Sequence, residues 1–83
     1  MRICFTADGW ADYCSWSGDR KMLARINRLI DESMRDPAFG IGKPEPLGQN
    51  LDGYWSRRIT DEHRLVYTVD GESLIIIQAR YHY

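Results

Sequence analysis

No apolar run in the 83-residue chain is longer than Leu74-Ile75-Ile76-Ile77, far short of the roughly 20 residues a membrane-spanning helix needs. The segment Met1 to Asp8 holds no apolar stretch of signal-peptide length, so no membrane partner and a cytoplasmic location are expected. Cysteine is scarce too: Cys4 and Cys14 are the whole supply, too few for a disulfide framework, and they are expected as packed, reduced thiols. With two His and neither CxxC nor HxxxH spacing, no metal site and no cofactor are expected. An excess of charge of one sign is missing as well. Eleven bases against 12 acids give a net charge of −1, which argues against a generic, charge-driven nucleic-acid binder.

What is present is an ordinary globular composition, 43% hydrophobic and 28% charged, with three Trp, five Tyr and two Phe to fill a core. The length allows one domain, residues 1–83, which buries only about 60 to 65% of its unfolded surface. A partner that adds buried area therefore fits its size.

Arg2 to Thr6 alternates like a short half-buried strand, with Ile3 and Phe5 on one side, and Thr6 suits a helix N-cap. Ala7, Trp10, Ala11 and Cys14, with Tyr13 beside them, predict a first helix over residues 7–16 with that stripe inward. Ser17-Gly18-Asp19 breaks it. A second helix follows, with Met22, Leu23, Ile26, Leu29, Ile30 and Met34 as its apolar stripe, ending before Pro37. Its other face carries Lys21, Arg25, Arg28, Asp31, Glu32 and Arg35, read as solvated, with Arg25, Arg28 and Arg35 as candidate contacts to a large polyanion such as ribosomal RNA.

Proline and glycine break both periodicities between Asp36 and Asn50, predicting an ordered, irregular loop over residues 38–49. Three strands follow, over residues 54–60, 64–69 and 73–81, with Asp70-Gly71 as a hairpin turn. Two registers stay open for that hairpin. A regular ladder puts Arg64 on the face of Ile75 and Ile77, and a one-residue bulge puts it with Gln78, Arg80 and His82. The order β-α-α-β-β-β predicts an α+β fold, two N-terminal helices on a mainly antiparallel four-stranded sheet.

Four polar stretches sit where a core does not require them: Gly42-Lys43-Pro44-Glu45-Pro46-Leu47, Trp55-Ser56-Arg57-Arg58, Glu62-His63-Arg64 and Arg80-Tyr81-His82-Tyr83. Two prolines stiffen the backbone around Glu45. Arg57 and Arg58 stand beside Tyr54 and Trp55, a pairing that can bind phosphate and stack bases, although Trp55 itself reads as core. His63 reads as a structural turn residue, and His82 has the side chain whose ordinary pKa suits proton transfer near neutrality. A carboxylate, guanidiniums, an imidazole and a phenol can together perform RNA cleavage by 2′-hydroxyl attack, one chemistry among several open to such a set.

Those stretches, together with Gly53-Tyr54-Trp55-Ser56-Arg57-Arg58-Ile59 and Glu62-His63-Arg64-Leu65-Val66-Tyr67, resemble the YoeB family of toxins, within the RelE/ParE superfamily. The resemblance spans essentially the whole chain. It implies a RelE-like fold and a ribosome-dependent mRNA endonuclease that cuts message in the ribosomal A site. The ends left are a 2′,3′-cyclic phosphate and a 5′-hydroxyl. A YefM-like antitoxin would neutralise it, with DNA met only through that antitoxin, and a homodimer fits the family. By the same resemblance Glu45 is similar to the family's general base, Arg64 to its phosphate-stabilising arginine, His82 to its general acid and Tyr83 to the terminal tyrosine that shapes the site. Lys43, Arg57, Arg58 and Arg80 are expected RNA contacts. The alternatives are a RelE/ParE-fold binding module without cleavage, gyrase-directed or co-repressing, and a ribosome-independent ribonuclease. The slightly acidic net charge departs from what docking on a ribosome favours.

Overall fold

The computed structural model describes residues 1–81; His82 and Tyr83, with the roles expected of them, lie outside the described residues. The elements are β1 (Arg2–Phe5), α1 (Ala7–Ser15), α2 (Arg20–Arg35), β2 (Glu45–Pro46), β3 (Tyr54–Arg58), β4 (Arg64–Asp70) and β5 (Ser73–Gln78), with a 3₁₀ turn at Gln49–Leu51. The strands form one sheet in the order β1-β5-β4-β3-β2. β1 runs parallel to β5 and every other pair is antiparallel. The α+β architecture is the one expected, but the sheet has five strands rather than four. Glu45 and Pro46, within the segment read as irregular, pair with Ser56 and Trp55. Two residues are too few to display a period, and proline is tolerated there because β2 is an edge strand.

The core lies between the helices and one sheet face. Trp55, Leu65, Tyr67, Leu74 and Ile76 point toward Ile26, Leu29 and Ile30 of α2, the stripe the sequence predicts. Asp19 caps α2 by accepting from the Met22 N–H, and Thr6 caps α1 by accepting from Gly9. Among the described residues, no helix is long and apolar enough to cross a membrane.

α1 turns the other way from its predicted stripe. Ala7, Trp10, Ala11 and Cys14 are exposed, while Gly9 and Trp16 are buried and Asp12 and Tyr13 half-buried. Cys14 is thus an exposed free thiol rather than a packed one. The reason is Gly9. A Cβ there would lie 2.2 Å from the Ile76 carbonyl oxygen, so the missing side chain is what lets α1 rest on the β5 main chain, a contact no apolar-period count registers. Trp10 instead joins Phe5 and Tyr13 in an aromatic cluster beside β1, ring centroids 5.3 to 5.8 Å apart. Gly9→Ala is expected to destabilise the fold by about 2 kcal/mol, because main chain cannot yield to the methyl and the helix-propensity gain of roughly 1 kcal/mol is too small to offset the clash. Urea unfolding checks this, and a midpoint equal to the parent's would refute the contact.

The hairpin is closed by Asp70 opposite Ser73, so its two-residue turn is Gly71-Glu72, one position later than predicted, with Gly71 at φ +59°. Farther on, the ladder shifts between Tyr67–Ile76 and Val66–Gln78, leaving Ile77 as an extra residue on β5. This bulge decides between the two registers in favour of Arg64 sharing the face of Gln78. β5 also stops at Gln78 instead of reaching Tyr81. There the ladder gives way to α1: the Ala79 N–H donates to Asp12 Oδ2 and the Ala79 carbonyl accepts from Trp16 Nε1.

Candidate active site

Opposite the helices, the register aligns one row of residues across four strands: Glu45, Ser56, Val66 and Gln78. Arg58 and Arg64 form the adjacent row. Directly paired residues share a face, and two strand spacings of about 4.8 Å put Glu45 on the order of 10 Å from Val66, two residues from Arg64. An exposed carboxylate at the sheet edge and a half-buried guanidinium on the central strand thus face the same solvent.

Local backbone holds the carboxylate in place. Gly42 (φ +81°) and Lys43 (φ +49°) both adopt left-handed conformations just before Pro44, and the Gly42 carbonyl accepts from the Arg58 N–H at 2.6 Å. A side chain at 42 would strike Leu29 at 2.7 Å. Lys43, which has a side chain, costs about 1 kcal/mol in that conformation, strain of the kind that persists where surroundings over-determine a functional loop. Past β2, the Leu47 N–H donates to Tyr54. Arg64 is anchored by the β3–β4 turn, its Nη1 donating to the carbonyls of Thr60 (2.6 Å), Asp61 (3.2 Å) and His63 (3.3 Å). Arg58 meets Asp61 at 3.4 Å. Lys43, next in the chain to the Gly42 that accepts from Arg58, is exposed.

Three of the other expected contacts have structural work. Arg57, expected at an RNA surface, is fully buried on the helix side of β3, donating to Tyr67 Oη and to the carbonyls of Ile41, Asp36 and Phe39. Arg25, expected toward the ribosome, braces α2 against β3 by donating to the carbonyls of Ile59 and Arg58. Arg80 does not share the Arg64 face. Its guanidinium stacks on Trp16 at 4.0 Å and donates to Ser15 Oγ. Arg28 and Arg35 do remain exposed, with Glu32 pairing to Arg35 at 3.8 Å.

Beyond β5 the chain is tied down up to the last described residue. The Tyr81 carbonyl accepts from the Arg64 N–H at 3.1 Å and from Gln78 Nε2 at 3.0 Å, so Tyr81 lies against the backbone of Arg64. The Tyr81 N–H donates to His63 Nδ1. Asp12, Trp16 and Ser15 join His63 in holding this segment, and none of the four stood out in the sequence for it. Only the inward heptad spacing of Asp12 and Trp16 with Gly9 could have signalled it.

These features have close counterparts. The model of YoeB-like toxins of bacterial type II toxin-antitoxin systems matches residues 5–83. Toxin YoeB of Streptomyces coelicolor is 61% identical over 84 residues, covering 100% of both chains. A YoeB/ParE toxin from Agrobacterium tumefaciens has the same fold with a TM-score of 0.96, at 49% identity over 100% of each chain. A YoeB–YefM complex from Staphylococcus aureus contains a chain with a TM-score of 0.91 and 45% identity, covering 100% of this chain and 98% of that one. With its sequence matched end to end and its fold shared over the full length, this chain belongs to the YoeB family of toxins of type II toxin-antitoxin systems.

Proposed function

We propose that the chain is a ribosome-dependent mRNA endonuclease acting in the cytoplasm as one domain, residues 1–83, and held inactive by a YefM-like antitoxin. The observation that carries the chemistry is the shared face of Glu45 and Arg64 across β2, β3 and β4. Glu45 takes the proton of a ribose 2′-hydroxyl, the 2′-oxygen bonds to the adjacent phosphorus, and the bond from phosphorus to the 5′-oxygen breaks. Arg64, its guanidinium set by the turn carbonyls, offsets the charge that grows on the phosphate oxygens. His82 protonates the departing 5′-oxygen and Tyr83 shapes the site. Lys43 and Arg58, on or beside the same face, contact the RNA backbone. The products are a 2′,3′-cyclic phosphate and a 5′-hydroxyl. The antitoxin part of the reading is supported by the complex its Staphylococcus aureus relative forms with YefM.

Translation of a defined message in vitro, with RNA ends mapped against the same RNA free of ribosomes, tests this. Cuts confined to translated message, with cyclic phosphate ends, are expected. Equal cutting of free RNA would replace it with an independent ribonuclease, and intact message in both would leave a binding module.

Ribosome docking is carried by the exposed Arg28 and Arg35 and not by Arg25. Reversing both to Glu is expected to lower ribosome affinity by roughly tenfold at low salt, with the loss shrinking as salt rises. Cosedimentation measures it, and unchanged pelleting of the double variant would exclude this face of α2.

A further inference from the structure

We propose that His63 is a positioning residue for the C-terminal tail: its Nδ1, as acceptor for the Tyr81 N–H, fixes the point from which the chain enters His82 and Tyr83. This rests on the reading of His82 as the general acid. His63 is 7% exposed, although its neighbours Asp61 and Glu62 are exposed. The Tyr81 nitrogen lies 2.8 Å from His63 Nδ1. A backbone N–H can only donate, so Nδ1 carries no proton in this contact and the ring proton sits on Nε2. Glu62 Oε1, 3.4 Å from Nε2, favours that tautomer. Trp16 packs edge-on against the imidazole, centroids 4.8 Å apart at 83°, and the Tyr81 ring lies at 5.2 Å.

The contact matters because of what it holds. Tyr81 is a non-glycine residue at φ +59°, a conformation that persists only where its surroundings enforce it. Both its backbone polar groups are engaged, the N–H by His63 and the carbonyl by the Arg64 N–H and Gln78. Just upstream, α1 and its C-cap residue Trp16 hold Ala79 through Asp12 and Trp16, and Arg80 through Trp16 and Ser15. The turn that carries His63 is also the one whose carbonyls seat the Arg64 guanidinium. It is tightened by the Ile59 and Thr60 N–H groups donating to the His63 carbonyl and by Thr60 Oγ1 accepting from Glu62 and His63. One short turn therefore sets both the phosphate-binding guanidinium and the start of the tail, which fixes their relative placement.

A residue that merely filled space would tolerate an apolar replacement, whereas this role needs an acceptor at the Nδ1 position. In the full-length chain, a 15N–15N coupling across the hydrogen bond between Tyr81 and His63 Nδ1, with a protected Tyr81 amide, is expected. On programmed ribosomes, His63→Leu is expected to lower the single-turnover cleavage rate by about 10²-fold with half-saturation unchanged. His63→Asn, whose Oδ1 takes the place of Nδ1, is expected to recover most of it. Replacing the Arg80–Tyr81 peptide bond by an ester removes the N–H, while also weakening the Arg80 carbonyl that accepts from Gln78 Nε2, and should reproduce the loss, with Gln78→Ala as the control for the weakened carbonyl, which keeps the test decisive if His63→Leu does not fold. Absence of the coupling, full activity of the ester chain, or equal loss in the Leu and Asn variants would each overturn the proposal. If the parent chain cleaves no message, the nuclease reading fails by itself, and the coupling alone then decides whether His63 holds the tail.

Discussion

Glu45→Gln is expected to cut the cleavage rate on translated message by about 10² to 10⁴-fold, the usual contribution of a general base, equivalent to about 2.7 to 5.5 kcal/mol of transition-state stabilisation. The substitution keeps shape and hydrogen-bonding reach but removes the group that can accept a proton. Glu45 is exposed on an edge strand, and its position comes from main-chain features, the pairing with Ser56 and the bond from Arg58 N–H to the Gly42 carbonyl. The stability change should therefore stay within about 0.5 kcal/mol, so lost activity cannot be ascribed to lost fold. Ribosome cosedimentation should also be unchanged, because the arginines proposed to dock, Arg28 and Arg35, lie on α2. Arg64→Lys gives the complementary result: charge is kept, but the planar fork and the hold of the turn carbonyls are lost. Measured rates with unfolding midpoints and pelleting assign the role. A Glu45→Gln chain that cuts at the parent rate would remove Glu45 from the chemistry and leave the sheet face as a binding surface.

Much of this site could be read from the sequence because short motifs encode both chemistry and backbone. Gly42-Lys43-Pro44-Glu45-Pro46 marks a constrained carboxylate, and the apolar stripe of α2 is carried by six residues that have no other place to go. Less legible was anything decided by a contact without an apolar signature. The face of α1 is chosen by a glycine against a carbonyl and by Asp12 reaching Ala79, while its most hydrophobic residues point outward. The register around Arg64 depends on a single extra residue at Ile77, invisible to a period of two. Arg57 was legible in principle. Strand alternation puts it on the same face as Trp55, already read as core, and Arg58 on the opposite face; adjacent identical side chains obscured the distinction.

That distinction yields a large expected stability effect. Arg57→Leu should destabilise the fold by about 3 to 4 kcal/mol, against a total of roughly 4 to 12 kcal/mol for a chain of this length. Arg57 Nη2 donates to Asp36 at 2.6 Å and Phe39 at 2.8 Å, Nη1 to Ile41 at 2.8 Å, and Nε to Tyr67 Oη at 2.9 Å. Tyr67 Oη in turn donates to Pro37. One guanidinium thus gathers the carbonyls of the segment between α2 and β2 that leads into the Glu45 motif. Leucine replaces the stem's packing and none of the donors, leaving those part-buried carbonyls and the buried Tyr67 Oη without the donors they have here. Lysine should fare little better, since a single ammonium cannot reach acceptors arranged around a planar fork. Arg58→Leu is the control: the same change one residue along removes a 42% exposed side chain paired to a 97% exposed aspartate, and should cost no more than about 1 kcal/mol. Urea midpoints of the two variants, with amide exchange over residues 36–42, decide the matter. Equal midpoints would mean the carbonyls find water without Arg57, while a selective loss at 57 makes this buried arginine the residue through which the core fixes the loop that leads to Glu45.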